Sequence, residues 1–247
     1  MIFNRIITDA QDQNWVAAIV DMLIVVIGLF TGLQVDAWWQ SYQESSQERI
    51  YLMELNEDFR GNQDLLQGAL DEGARILNDM VVLSNQSLLP TPELSAQELD
   101  EKFSSLQSMH SFIPISSAYD NLVSSSELGI ISNRDIKNTL ADYYSFADLA
   151  ELIQSTHEMQ LVEVYQPYMR DNTELARVMI SWQEAGDFSL PEPAPQSGIL
   201  EIIGSRQFRN IITDKYYSAI DLRSIHIELQ DINSELLQLI ESELSEN

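Results

Sequence analysis

Trp15 to Trp38 reads WVAAIVDMLIVVIGLFTGLQVDAW, and how this stretch is read decides the architecture. Residues 16–35 make a window of 20 residues. As a helix it would be about 30 Å long, one hydrocarbon thickness. Asp21 and Gln34 are its only strongly polar members. Trp15 at one end, with Trp38 and Trp39 at the other, stand where aromatic rings settle at membrane–water interfaces. The stretch predicts a transmembrane helix over 15–38, preceded by a short leader, 1–14. Two other readings stay open. A signal peptide could be processed at Val35-Asp36-Ala37, but the apolar run exceeds a usual h-region and the leader sets Arg5 against Asp9 and Asp12. A buried core helix is the second alternative.

Asp21 requires a reason, because a carboxylate inside an apolar span costs at least a few kcal/mol unless it is paired or hydrated. Asp21, Val25, Gly28, Gly32, Val35 and Trp39 follow one another at alternating steps of four and three, which puts them on one helix face. Gly28 and Gly32 form a G-x-x-x-G pair on that face, where two helices can approach closely. This seam is the candidate oligomerisation surface. It would bring copies of Asp21 together to share hydrogen bonds or to hold a cation or water. The plainer alternative is that Asp21 reaches interfacial water.

The rest of the chain is acidic. Thirteen Lys and Arg face thirty-nine Asp and Glu, a formal charge of −26. Residues 1–38 hold Arg5 against Asp9, Asp12, Asp21 and Asp36, so the remainder carries about −23. Such a field repels nucleic-acid phosphate and anionic lipid. It suits a basic protein partner or divalent cations, or simply a solvated surface. There is no cysteine, hence no disulfide, thiolate metal site or Cys nucleophile.

Beyond residue 39 the periodicity is helical. Leu52, Leu55, Phe59, Leu66, Ala69 or Leu70, Leu77 and Met80 recur at steps of three and four with no proline, so the membrane helix is expected to run on to about Leu83. Gly61, Gly68 and Gly73 mark a bend or close packing. Ser95 and Glu98 form a capping box for a short helix, and another is expected over Ser117–Val123. Ser132 is expected to cap a long helix ending near Pro167 to Asn172, followed by a helix over Thr173–Glu184. Residues 186–198, GDFSLPEPAPQSG, read as a loop, and 199–204 as a single helical turn. A final helix from Ser205 to about Leu244 would bury Phe208, Ile212, Tyr216, Ile220, Ile227, Ile232, Leu236, Leu239 and Ile240. The expected fold is all-α: one N-terminal transmembrane helix continuing into an elongated antiparallel bundle of long helices, with 39–247 as the extramembrane domain.

His110, His157 and His226 have no H-x-x-x-H or E-x-x-H spacing. No G-x-x-x-x-G-K-[ST], G-x-G-x-x-G or G-x-S-x-G is present. Pairs such as Glu57-Asp58 and Asp71-Glu72 are ordinary on solvated helix faces, and the Ser124–Ser126 run reads as a helix end. The sequence predicts no catalytic or metal residue and no cofactor.

Ile19-Val20-Asp21, Val26-Ile27-Gly28 and Gly32-Leu33-Gln34-Val35-Asp36-Ala37-Trp38 together resemble the anchor of a family of uncharacterised bacterial single-pass membrane proteins, a domain of unknown function. The likeness extends to Ser117-Ala118-Tyr119-Asp120-Asn121-Leu122, to Leu128-Gly129-Ile130-Ile131 and to the Tyr143-Tyr144 pair, about a third of the chain. The chain departs in having Trp39 where Asn is usual and Ser126 near a usual Gly. The resemblance implies a bacterial inner membrane and no established activity. Arg5 before the span and Arg49 after it nearly balance the positive-inside comparison. Long domains translocate regardless of charge, so the leader is expected in the cytoplasm and the domain in the periplasm. These features predict a membrane-anchored, self-associating helical scaffold, interaction or accessory subunit. A ligand-sensing module acting through a separate partner, and an oligomeric ion or proton pathway lined by Asp21, are the rival expectations.

Overall fold

In the computed structural model, residues 15–179 and 198–246 are described, with side chains from residue 19 on. Helix α1 (Trp15–Ser87) runs 73 residues without interruption, about 110 Å at 1.5 Å per residue. No proline falls inside it, and it stops three residues before Pro90. The chain then makes α2 (Ala96–Phe103), opened by the Ser95–Glu98 capping box, and a 3₁₀ turn, Ser104–Leu106. An extended connector over 107–116 leads to α3 (Ser117–Ser124) and a second 3₁₀ turn, Leu128–Ile130. Helix α4 (Arg134–Gln160) passes through a π turn, Leu161–Tyr165, into α5 (Gln166–Asn172). Pro167 sits in the first turn of α5, and the π turn before it accommodates the amide hydrogen that proline lacks. Short helices α6 (Leu175–Val178) and α7 (Ile199–Ile202) precede α8 (Arg206–Glu246). No strand occurs among the described residues.

The long helices form an all-α bundle in which α8 runs antiparallel to both others. Arg49 donates to the Leu244 carbonyl, while farther up α1 Gln67 accepts from Gln230. Asn133 at the start of α4 donates to Glu243, and Gln160 at its end accepts from Ser218. Helices α1 and α4 run in the same direction, because the connector brings the chain back down α1 before α4 begins.

That return path has a specific construction. An extended segment among helices has no ladder to satisfy its amides, and a buried unpaired amide is costly. Two buried side-chain amides take the place of a neighbouring strand. Asn62 of α1 accepts from the Ile115 N–H (2.7 Å) and donates to its carbonyl (2.9 Å). Gln154 of α4 pairs in the same way with the N–H and carbonyl of Phe112. Asp58 caps α3 by accepting from the Ala118 N–H at 2.8 Å. The glycines of α1 are used for close packing. A Cβ at Gly61 would lie 2.6 Å from Ile115 Cδ1, and one at Gly73 would lie 3.0 Å from the His110 ring, whereas Gly68 faces open space.

The buried stripe on α1 runs Glu48, Leu52, Leu55, Phe59, Asn62, Leu66, Ala69, Gly73, Ile76, Met80, Leu83 and Ser87, a strict alternation of four and three. On α8 the matching stripe is Phe208, Ile212, Lys215, Ala219, Leu222, His226, Leu229, Asn233, Leu236 and Ile240. These are heptad repeats, which pack helices side by side. Two apolar clusters result. One is built on Phe59, Tyr143 and Leu229, the other on Phe103, Tyr165 and Phe208.

Several local expectations are corrected. Asn133, not Ser132, is the N-cap of α4, accepting from the N–H groups of Asp135 and Ile136. Ser132 gives its N–H and hydroxyl to buried Glu48 instead. Ile227 is 38% exposed, because the α8 stripe passes through His226 beside it. Of the helix expected over Thr173–Glu184, Leu175–Val178 is helical and 180–184 lie outside the described residues, as does nearly all of the expected loop. Ser126 is the one non-glycine with a left-handed backbone among the described residues (φ 61°), at the place where the resemblance has a nearby glycine.

Candidate functional site

The lower part of α1 stands apart from the bundle. No residue from 19 to 47 is buried, and Glu48 is the first that is. Every large apolar side chain from Ile19 to Val35 is exposed, by 42% to 67%. Among the described residues, this helix alone is long and apolar enough to cross a membrane. Val25, Gly28, Gly32, Val35 and Trp39 lie exposed on one face with partly covered Asp21, and a Cβ at either glycine would meet nothing within 4 Å. Nothing among the described residues requires glycine there. Trp38 and Trp39 each stack on Tyr42, at 6.2 and 6.0 Å, which adds Tyr42 to the aromatic end of the segment. The side chain of Trp15 lies outside the described residues. Continued by the same alternation of steps, the seam reaches Arg49 and Met53. These are one residue beyond the buried positions Glu48 and Leu52, so the seam and the bundle-facing stripe are offset by about 100° around the helix.

A polar layer lies between the two apolar clusters. His110 of the connector and His226 of α8 meet edge to face, with ring centroids 5.4 Å apart, and both are almost wholly buried. Neither His226 nitrogen nor His110 Nε2 has a hydrogen-bond partner among the described residues. Lys215 reaches in from α8, donates to the Ser108 carbonyl at 2.6 Å and lies 5.1 Å from the centre of the Tyr165 ring. Burial pushes His110 down to about 3, with the charges of His226 and Lys215 adding to it, and pushes His226 down to about 4. Burial lowers Lys215 to about 8 against the opposing pull of Glu72, and His157, on the α4 side, is also lowered by burial. The imidazoles are therefore neutral at ordinary pH. Histidines that are distant in sequence thus share one layer, yet the described residues contain no group of three or more His, Asp or Glu able to hold a metal ion. The polar tie in the layer is that of Lys215 to Ser108, which joins α8 to the connector, while Gly73 of α1 makes room for the His110 ring.

The third feature is a groove of about 440 Å³ between the connector and α4. Phe112, Pro114 and Ala147 supply apolar walls, and Asp120, Asp148, Glu151 and Glu158 supply carboxylates, with no Lys, Arg or His among the described residues of the lining. The Tyr144 ring stacks on Tyr119 (3.8 Å) and its hydroxyl has no hydrogen-bond partner among the described residues; burial raises that phenol. Reading the sequence alone missed this groove, because α4 presents its acids at ordinary solvated-helix spacing and the opposite wall is an extended segment without periodicity. The same reading separated the histidines that the fold brings together. The acidic pairs it set aside serve locally: Asp58 as a cap for α3, and Glu72 in a two-point pair with Arg75.

No family model, no curated protein and no solved structure matches the chain.

Proposed function

We propose that the chain is a single-pass membrane protein of the bacterial inner membrane, akin to the family it resembles. In this reading the acidic bundle lies on the periplasmic side, and the protein works as a self-associating scaffold or accessory subunit. The observation that carries this reading is the uncovered lower part of α1. A run of large apolar side chains that no described residue of its own chain buries needs an apolar solvent or a partner, since burying each is worth about 1.5–3 kcal/mol. Lipid covers most of that circumference. Other copies cover the seam, because packing at small residues rather than hydrophobic transfer holds helices together in a bilayer. Asp21 then faces its counterparts rather than lipid. The unbroken α1 makes bundle and anchor one rod, so association in the membrane sets the spacing of the bundles above it.

Carbonate washing of membranes followed by mass measurement in mild detergent tests this. The wild type should remain in the membrane fraction and be oligomeric. Gly28→Leu with Gly32→Leu should be membrane-bound but monomeric, and Asp21→Asn should stay oligomeric. Release of a soluble chain starting near Trp38, or a double-Leu variant as oligomeric as wild type, would contradict the proposal.

A further inference from the structure

We infer that the groove between the connector and α4 docks a short, extended, basic segment of a partner protein, an inference that rests on reading the chain as an interaction module. Asp148, Glu151 and Glu158 follow one another along a single face of α4. They span ten residues, about 15 Å of helix axis, the reach of roughly five residues of extended chain. None of the three makes a hydrogen bond or ion pair among the described residues. They are strung out rather than convergent, which suits several spaced cationic side chains better than one metal ion.

The opposite wall is also prepared for chain rather than for solvent. Ile113 is 79% exposed, the most exposed large apolar residue described, and it stands between buried Phe112 and half-buried Pro114. The amides of Phe112 and Ile115 are tied to Gln154 and Asn62, which fixes the connector in extended form. The Ile113 N–H and carbonyl have no partner among the described residues, so a strand-like edge is left open beside an apolar side chain. An extended segment that alternates cationic and apolar residues meets all three demands. Its backbone pairs with Ile113, its apolar side chains cover Ile113 and Pro114, and its Lys or Arg side chains reach the α4 carboxylates. Charge complementarity fixes the sign of the partner, because no basic side chain lines the groove and the chain carries −26 overall.

The test is fluorescence anisotropy with a labelled Lys-Val-Lys-Val-Lys-Val peptide and full-length protein in phosphatidylcholine nanodiscs, empty discs subtracted, at about 150 mM salt to screen diffuse attraction. Saturable binding to wild type is expected. Asp148→Asn with Glu151→Gln and Glu158→Gln should weaken it by at least about tenfold, and Ile113→Ser by several-fold. Glu54→Gln with Glu57→Gln and Asp64→Asn, which removes as much charge from another face, should leave it within about twofold. No saturable binding overturns the proposal. So does an equal loss in both triple variants, or hexalysine binding as tightly as the alternating peptide and indifferently to Ile113→Ser; either result means diffuse attraction to an acidic surface. All substituted groove residues are exposed and far from the seam, so carbonate retention and oligomeric mass should be unchanged in these variants. Failure of the docking site is thereby separated from failure of the scaffold reading.

Discussion

The two parts of α1 obey the same repeat and live in different surroundings. From Glu48 to Ser87 each step of three or four carries a side chain into the bundle, and Leu55, Phe59, Asn62 and Leu66 are fully buried there. From Asp21 to Trp39 the same steps carry exposed valines, and glycines at which a Cβ would meet no described residue within 4 Å. A heptad stripe announces that a helix face is packed. It does not announce what packs against it. In the upper part the partners are α4, α8 and the connector of the same chain; in the lower part no described residue buries the stripe. The residue types mark the difference: large and polar side chains face the bundle above, and below Gly28 and Gly32 leave an open face between exposed valines.

The contrast can be broken most forcefully at Phe59, which is fully buried and edge-on to Tyr143 at 4.9 Å. Phe59→Ala should cost about 3–5 kcal/mol in urea unfolding of the bundle followed by circular dichroism. Phe30→Ala, at a site 62% exposed, should change it by no more than about 0.5 kcal/mol. If both substitutions destabilised the bundle alike, the lower segment would belong to the bundle's own core.

A smaller effect is expected where α1 holds the connector. Asn62→Leu removes both partners of Ile115 and should cost about 1–3 kcal/mol for each backbone group left dry. Amide exchange at Ile115 should accelerate with it. Unchanged exchange there would mean that the connector is held by packing alone.

The polar layer gives a pH-dependent difference. His226 sits at about 4 in the folded chain against 6.5 as a free side chain. Between those values the unfolded chain binds a proton that the folded chain refuses, so this histidine's contribution to stability falls as pH drops from 6.5 toward 4. A shift of one unit corresponds to about 1.4 kcal/mol. Going from pH 7 to 5, wild type should therefore lose on the order of 1–2 kcal/mol relative to His226→Leu. Parallel stability curves for the two proteins would show that His226 titrates freely in the folded state. The smallest effect belongs to the outer face of upper α1. Arg60 and Glu241 pair at 2.7 Å with both side chains more than half exposed. Arg60→Ala should cost less than about 1 kcal/mol. A larger loss would mean that the outer face, too, is packed.

How much of this was legible in the sequence follows from the same stripes. The helices, their caps at Ser95 and Ser205 and the proline-free course of α1 could all be read, because apolar periodicity and capping chemistry are local. Apolar periodicity carries the upper stripe through Leu52, Leu55, Phe59, Leu66, Ala69 and Met80 but not through Asn62 and Gly73. The α8 stripe was missed at Lys215, His226 and Asn233 for the same reason. A polar residue or glycine at a heptad position looks like a break in the pattern until its partner is known. Those partners, Ile115, His110, Ser108 and Phe59, lie 37 to 174 residues away in sequence. The groove depends on an extended wall with no period at all, so no sequence pattern could have drawn it. The exposed seam was legible because it needs only the helix that carries it.

The central claim, that the lower part of α1 is covered by other copies on one face and by lipid on the other, can be measured directly because the chain has no cysteine of its own. Single cysteines at Val25 and Val35 lie on the seam; at Leu23 and Phe30 they lie on the opposite side of the helix. Oxidative cross-linking in native membranes should give disulfide-linked species with Val25→Cys and Val35→Cys and little with Leu23→Cys or Phe30→Cys. Gly28→Leu with Gly32→Leu in the same background should abolish them. Equal cross-linking at all four positions, or none at Val25 and Val35, would contradict the account.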